Sequence, residues 1–194
     1  SSDLRRIELK VSLSDTFNSL KKENKMIIRP EEKQDFNEIY TVVKAAFATA
    51  EHSDGNEQDL VIALRTGNNY IQKLSLVAKI DNQLVGYIMF TTAKVGNDTV
   101  LVLAPLAILP AFQKQGIGSA LINKGHQIAK ELGYEYCLVL GSEHYYPRFG
   151  YLPAEQFGIK VPKGIPSINF MAKKLIFRAG KISGEVKYAK EFGI

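Results

Sequence analysis

The sequence predicts a mixed α/β domain in which one β-sheet carries helices on both faces. Three segments repeat apolar residues at helical spacing. Short apolar runs between them are joined by polar turns, as strands are. One of these runs passes through a glycine-containing turn directly into a helix. The length of 194 residues suits one domain with a full core, which we expect over residues 26–194, after an N-terminal extension at residues 1–25, whether native or added.

The domain begins with a short strand and two helices. Residues 26–29 are apolar and extended in character. Pro30 is expected to start the first helix, with Glu31 and Glu32 favoured by the positive end of its dipole. The apolar face of this helix comprises Phe36, Ile39, Tyr40, Val43 and Phe47. A second helix is expected at residues 57–65, burying Leu60, Leu64 and either Val61 or Ile62.

Three strands follow, at residues 74–80, 84–93 and 99–109, and their short polar turns predict an antiparallel meander. A helix at 117–132 then leads to a strand at 135–141, and a right-handed helical crossover makes these neighbouring strands parallel. The predicted buried face of that helix is Ile117, Ala120, Leu121, Ile128, Ala129 and Leu132. After an irregular connection, a last strand is expected at 169–177, and the polar tail 180–194 is expected to pack on the surface.

Composition excludes several classes of protein. Hydrophobic and charged contents of 45% and 23% are ordinary for a globular chain. No apolar stretch approaches the roughly 18 residues of a membrane span, and the N-terminus is not signal-like, so a cytoplasmic location is expected. Cys137 is the single cysteine, and its apolar surroundings predict a buried structural thiol. His52, His126 and His144 are too scattered for a zinc site, so no metal is expected.

The most informative stretch is Gln113-Lys114-Gln115-Gly116-Ile117-Gly118, between an apolar run and an amphipathic run. Its glycines let backbone N–H groups crowd around an anion, and the first helical turn adds unpaired donors and the positive end of the dipole. These residues predict a phosphate-binding cradle. Walker and dinucleotide-binding motifs do not fit, because Leu121 and Leu138 stand where the latter needs its third glycine and its acid. A simple βαβ turn is the alternative.

The pattern Q-x-x-G-x-G after a strand ending L-A-I-L-P resembles motif A of the GNAT acyl-CoA-dependent N-acetyltransferases. After the next strand, the residues Tyr145-Tyr146-Pro147-Arg148-Phe149-Gly150-Tyr151 are similar to the Y-x-x-x-G-[FY] ending of motif B. Strand, cradle, helix, strand and tyrosine in this order are far more specific than the glycines alone. Gly141-Ser142-Glu143-His144 replaces the Asn and longer helix of commoner members, which resembles the bacterial YhbS-like branch.

This resemblance implies the GNAT fold, in which the cradle strand and the next parallel strand splay apart and admit acetyl-CoA. Backbone N–H groups of 113–118 would hold the pyrophosphate, and Lys114 would either meet a phosphate or remain a solvated loop lysine. The pantetheine arm would lie along the cradle strand like an added β-strand, and an N–H near Ile108 would polarise the thioester. The expected cofactor-binding residues are Leu106, Ala107, Ile108, Gln113, Lys114, Gln115, Gly116, Ile117, Gly118, Ser119 and Tyr146.

Tyr146 stands four residues before Gly150 and matches the family tyrosine that meets the sulfur, which implies a general acid for the leaving thiolate. Proton transfer from a phenol of pKa near 10 to a thiolate whose thiol has a pKa near 8.5 is thermodynamically unfavourable. We therefore expect either a lowered pKa of the tyrosine or a brief proton donation late in the reaction. Its neighbour Tyr145 is expected to be part of the wall. Glu57 is the candidate base, by resemblance to a Glu in the YhbS-like branch.

Alternatives remain open for the base. Glu57 also suits a helix N-terminus, where an acid is stabilised by the dipole, and this reading is the stronger from sequence alone. Glu143, His144 or water are the other candidates.

The resemblance therefore implies a transferase that moves an acetyl group from acetyl-CoA to a primary amine by direct attack. The alternative is a non-catalytic acyl-CoA-binding sensor or regulatory module, which the cradle alone would permit. A nucleic-acid role is disfavoured, because the basic residues behind the net charge of +5 are spread out. The acceptor stays undefined, since its determinants lie on loops such as 49–56 and 153–168, and a homodimer is left open.

Overall fold

The computed structural model describes residues 25–48 and 55–193, so the expected extension up to residue 24 and most of the loop 49–56 lie outside the described residues. Within the described ranges, one mixed sheet packs against three α-helices. The strands are β1 (Met26–Pro30), β2 (Tyr70–Ile80), β3 (Gln83–Val95), β4 (Asp98–Ile108), β5 (Tyr136–Leu140), β6 (Leu152–Pro153), β7 (Phe170–Lys174) and β8 (Val186–Lys187). The helices are α1 (Phe36–Phe47), α2 (Glu57–Thr66) and α3 (Ile117–Glu131).

The sheet has the order β1-β2-β3-β4-β5-β7-β6, with β8 paired to β3. Strands β2 to β4 form the predicted antiparallel meander, and β1 pairs antiparallel with the outer edge of β2. Asp81 and Asn82 make the two-residue turn between β2 and β3, and both adopt positive φ angles of 48° and 68°, as this hairpin turn requires. After the α3 crossover, β5 runs parallel to β4, which confirms the predicted mixed sheet.

The helices lie on both faces of the sheet, as predicted. Alternate residues of β2 point to opposite faces, so Leu76 packs in the cluster under α3 and Val77 in the cluster under α1 and α2. On α3, the expected burial of Leu132 is wrong, since this residue follows the helix and is 40% exposed. The buried face is instead rotated toward Gly125, because the absent side chain of Gly125 lets the Phe90 ring approach the helix.

The start of α1 differs from the prediction. Pro30 ends the edge strand β1, where its missing N–H costs no ladder hydrogen bond, and a 3₁₀ turn at Lys33–Asp35 separates it from the helix. The buried carboxylate of Asp35 in this turn accepts hydrogen bonds from Arg29 Nη1 and Nη2 at 2.7 and 2.9 Å. Lys79 Nζ of β2 lies 2.8 Å from the same carboxylate. The turn is therefore tied to two strands.

Glu31 was expected to favour a helix N-terminus, but it is buried as an ion-pair partner. Arg65 of α2 donates two hydrogen bonds of 2.9 Å to its carboxylate, and the Tyr70 hydroxyl donates a third of 2.7 Å. The Arg65 guanidinium also lies 3.8 Å above the Phe36 ring. These contacts fix the C-terminal end of α2 against β2 and α1, and so set the direction in which the N-terminus of α2 points.

The carboxy-terminal segment is more integrated than its polar composition indicates. The predicted last strand ends earlier, at Lys174, after pairing with β5. In the tail, expected to be a surface feature, Ile182 and Ala189 are buried, and β8 adds a short strand to β3. Its apolar positions are too few to give a periodic pattern, which explains the difference. Among the residues described, no helix has both the length and the apolar character needed to cross a membrane.

Candidate active site

The predicted anion cradle connects β4 to α3. Lys114 and Gly116 adopt left-handed φ angles of 60° and 83°, which bend the loop into the helix. The first intrahelical hydrogen bond joins the Ala120 N–H to the Gly116 carbonyl at 3.0 Å. The N–H groups of Ile117, Gly118 and Ser119 therefore have no acceptor within the helix, and Gly116 has no side chain to cap them. These donors and the positive end of the α3 dipole favour an anion.

A cavity of about 570 Å³, here called the cradle cavity, opens beside this loop. Both charged residues among its described lining are basic, Lys114 and Arg148. Arg148 stacks on the Tyr145 ring with 4.4 Å between guanidinium carbon and ring centroid. The other lining residues are Ala46, Phe47, Leu106, Ile108, Gln113, Gly116, Ser119 and Tyr145. The cavity thus suits a ligand with negative charge and an apolar portion.

Three predicted cradle residues have structural roles that the sequence did not reveal. The side chain of Gln113 donates to the Ile108 carbonyl at 3.3 Å, and that of Gln115 donates to the Ala111 carbonyl at 3.1 Å, so both brace the loop. Gly118 is buried, and an added Cβ would lie 2.6 Å from the Tyr145 hydroxyl oxygen. The absence of a side chain at Gly118 therefore lets Tyr145 sit against the helix.

Strands β4 and β5 separate beside the cradle. Their registered pairing covers only Leu101↔Cys137 and Val102↔Leu138, while β4 continues to Ile108. The Leu109 N–H bonds to the Val85 carbonyl of β3 at 2.9 Å. Since N–H groups alternate along a strand, those of Leu106 and Ile108 point away from β3, toward the opening. The N–H of Ala107 points to β3, and its side chain is buried beneath α1. The opening thus offers a free strand edge.

A second cavity of about 520 Å³, here called the gap cavity, lies in this opening. It is bordered by the ends of α1 and α2, by β4 and by the segment that follows β5. Its described lining is Phe47, Glu57, Leu60, Leu103, Ala104, Pro105, Leu106, Leu140, Gly141, Ser142, Tyr145 and Tyr146. Leu60 is only half-buried, contrary to the expectation of a core residue, because it faces this space. Phe47, Leu106 and Tyr145 line both cavities, which therefore adjoin each other.

Tyr146 is held in the gap cavity by aromatic neighbours. Its ring stands edge-on to Tyr145 and Tyr151, with centroid distances of 5.2 and 5.7 Å. Gly141 leaves room for this ring, since a Cβ there would overlap it. Burial raises the pKa of Tyr146 above that of an ordinary phenol, and the nearby Tyr145 and Cys137 act in the same direction. The sequence had suggested a tyrosine pKa lowered toward that of the leaving thiol, and the direction found is the opposite.

Glu57 lines the same cavity from the first turn of α2. Its Oε2 atom is buried and has no hydrogen-bond partner among the described residues. The two alternative bases are less well placed. Neither Glu143 nor His144 lines either cavity, the His144 side chain is 89% exposed, and Glu143 accepts a 2.6 Å hydrogen bond from Asn169. The structure thus brings Glu57 and Tyr146 together, although 88 intervening residues separate them in the sequence.

Arg148 and Tyr145 are the site residues that sequence reasoning missed or undervalued. Arg148 lies within the motif that identified Tyr146, so the signal for it was a basic residue in Y-Y-P-R-F-G. Burial raises the pKa of Tyr145, although the charge of Arg148 and the side chain of Ser119 oppose this. Tyr145 lines both cavities, in agreement with the expected wall position.

Cys137 is completely buried on β5, as predicted. The Tyr151 hydroxyl donates to its Sγ atom at 3.1 Å, and burial raises the pKa of the thiol to about 12. A thiol in this state is a poor nucleophile. In the described part of the chain, no cluster of three or more His, Cys, Asp or Glu side chains could hold a metal ion.

The comparisons with known proteins agree with this geometry. The model of the acetyltransferase (GNAT) family matches residues 35–151. The uncharacterised N-acetyltransferase YjhQ of Escherichia coli K12 is 31% identical over 166 residues, which cover 81% of this chain and 89% of that protein. The uncharacterised N-acetyltransferase YhbS of the same strain is 31% identical over 123 residues, covering 61% and 74% of the two chains.

Two solved structures resemble the fold closely. A GNAT acetyltransferase from Brucella melitensis, solved in complex with acetyl-CoA, has a TM-score of 0.73 at 32% identity and covers 88% of this chain and 99% of its own. YhbS from Escherichia coli, solved in complex with CoA, has a TM-score of 0.78 at 26% identity, with coverage of 87% and 92%. The predicted resemblance to the YhbS-like branch is confirmed. The chain belongs to the acetyltransferase (GNAT) family.

Proposed function

We propose that this protein transfers an acetyl group from acetyl-CoA to a primary amine of an acceptor by direct attack. The observation that carries the proposal is the meeting of two cavities at Tyr145. One has free helix N–H groups and two basic residues, and the other has Glu57 and Tyr146. The related proteins solved with acetyl-CoA and with CoA support the choice of donor.

The cradle cavity suits the donor, because it combines basic residues with part of the free edge of β4. Backbone N–H groups at residues 114–118, with Ser119 beside them, would bind the pyrophosphate, and the basic lining would add charge. The Gln113 N–H, expected in this set, instead bonds to the Pro110 carbonyl at 3.3 Å. The free edge of β4 from Leu106 to Ile108 would pair with the pantetheine arm as an added strand does. The N–H of Ile108 would then donate to the thioester carbonyl oxygen and polarise it.

The reaction exchanges one C–S bond for one C–N bond. An ammonium gives one proton to Glu57, the nitrogen electron pair attacks the acetyl carbon, and the sulfur leaves with a proton from the Tyr146 hydroxyl. The nitrogen then loses its second proton, which restores Tyr146, and Glu57 releases its proton to solvent. Overall, an ammonium and a thioester give an amide, a thiol and one proton.

A raised pKa of Tyr146 keeps its proton in place at neutral pH. It also makes phenolate formation costly, but the same apolar surroundings would raise the cost of a free thiolate beside it. Proton donation as the C–S bond breaks avoids leaving a buried sulfur anion. Of the two expectations from sequence, this supports the late, brief donation.

Tyr146→Phe tests this role, with acetyl-CoA turnover followed by free-thiol detection. Phe keeps the ring contacts and removes only the hydroxyl, so we expect kcat to fall by roughly 10²- to 10⁴-fold with little change in acetyl-CoA affinity. Tyr188→Phe is the matched control, because Tyr188 is also a part-buried phenol of raised pKa but lines neither cavity. Full single-turnover activity of folded Tyr146→Phe would remove Tyr146 from the mechanism. Tight acetyl-CoA binding without turnover across an amine panel would favour a non-catalytic sensor.

A further inference from the structure

The gap cavity carries one formal charge among the described residues that line it, the carboxylate of Glu57. This contrasts with the cradle cavity, whose lining is basic at Lys114 and Arg148. A buried carboxylate oxygen without a hydrogen-bond donor is costly, and the Oε2 atom of Glu57 has no donor among the described residues. A ligand that brings one ammonium group would remove this cost by supplying both donor and charge.

The rest of the gap cavity favours an apolar ligand body. Leu60, Leu103 and Leu140 supply aliphatic surface, and Phe47 and Tyr146 supply aromatic rings that also attract a cation. A second ammonium would meet no further carboxylate in this lining, and a ligand carboxylate would meet no basic residue and would be repelled by Glu57. At about 30 Å³ per water-sized group, the cavity volume corresponds to roughly 17 such groups, part of which the donor's acetyl end would take.

We propose that the acceptor is a primary monoamine with an apolar aliphatic or aromatic body and no second charged group. This inference rests on the proposed function. Glu57 selects the single ammonium, and the apolar lining selects the body. Amino acids and polyamines are discriminated against, because each places an additional charge where the described lining offers no partner.

Two matched pairs of amines test this inference at fixed, saturating acetyl-CoA. Phenethylamine and phenylalanine differ by a carboxylate, and hexylamine and 1,6-diaminohexane differ by a second ammonium. We expect kcat/KM to be at least about tenfold higher for the monoamine of each pair, because the second charge of the other amine would be buried without a partner. Equal or faster turnover of phenylalanine or diaminohexane would overturn the inference and leave acetyl transfer intact.

Binding provides a readout that does not depend on turnover. Calorimetric titration of phenethylamine into the CoA-saturated protein is expected to show binding, and phenylalanine is expected to bind at least about tenfold more weakly, by the same cost of an unpaired charge. Binding of phenethylamine without turnover would contradict the proposed function and still support the acceptor class. Absence of phenethylamine binding would overturn the acceptor class.

Glu57→Gln tests the selecting group, because it keeps the shape and removes the charge. A loss of base catalysis would lower kcat for both members of a pair, so the readout is the ratio of their kcat/KM values. We expect the preference for phenethylamine over phenylalanine to shrink by at least about tenfold. Glu191→Gln is the control, since Glu191 also has a buried Oε2 atom with no partner in the described part of the chain but lines neither cavity. An unchanged ratio in Glu57→Gln would show that Glu57 does not select the acceptor.

Discussion

Gly118→Ala tests whether Tyr145 must lie against the first turn of α3 for the site to work. The added Cβ would lie 2.6 Å from the Tyr145 hydroxyl oxygen, whereas ordinary contacts begin at 3.4 Å, so one of them must move by about 0.8 Å. Tyr145 has little freedom to yield, since Tyr146, Arg148 and Phe149 surround its ring. Any movement of Tyr145 changes the boundary between the two cavities.

The expected effect is large on activity and small on stability. Alanine favours a helix over glycine by about 1 kcal/mol, which offsets part of the steric cost, so we expect the free energy of unfolding to change by no more than about 1 kcal/mol. A misplacement near 1 Å at a reacting centre costs about 10²-fold, and we expect kcat/KM for acetyl-CoA to fall by this order. Urea unfolding and steady-state kinetics measure the two quantities.

Tyr145→Phe completes a double-mutant cycle with Gly118→Ala. The substituted ring would lack the oxygen that the new Cβ meets, so Gly118→Ala should cost much less in this background, with a coupling energy of about 0.5–3 kcal/mol. Equal losses in both backgrounds would show that the hydroxyl contact is not the cause. Unchanged kinetics in Gly118→Ala itself would refute the argument that Tyr145 needs this close approach.

Two further predictions concern parts of the fold outside the two cavities. Burial by itself would raise the pKa of Asp35, but its hydrogen bonds with Arg29, Lys79 and the Glu32 N–H lower it well below 3.8. The ionised Asp35 carboxylate therefore contributes its full share to the stability of the fold above about pH 4, and this contribution is lost as the pH falls below that value. Asp35→Asn should cost about 3–5 kcal/mol in urea unfolding at pH 7, a difference that should shrink below about pH 4; a pH-independent difference would contradict the assignment. Cys137→Ala should leave turnover intact and cost about 1–2 kcal/mol of stability, because direct transfer needs no acyl-enzyme; mass spectrometry that traps an acetylated Cys137 would contradict this.

The order of the longer elements and the location of the cradle could be predicted from the sequence alone. Both follow from short-range constraints that residues close in the chain impose on one another. The polar turn expected at residues 81–83 is of this kind, and the structure has it at Asp81 and Asn82. The glycine turn at Gly116 and the start of α3 at Ile117 are also local, and both are where they were predicted. The motif around Tyr146 is equally local, which is why one tyrosine could be singled out before the fold was known.

Which distant residues meet depends on tertiary packing. Glu31 was interpreted from its neighbours as a helix-terminal acid, yet its partner Arg65 lies 34 positions away, and no local pattern reports that pairing. The proximity of Glu57 to Tyr146 and the sharing of Tyr145 by two cavities likewise depend on how α2, β4 and β5 pack. Short-range propensities specify the elements, but side chains far apart in sequence are brought together only by burial of the shared core, and the chemistry of this site arises from those long-range contacts.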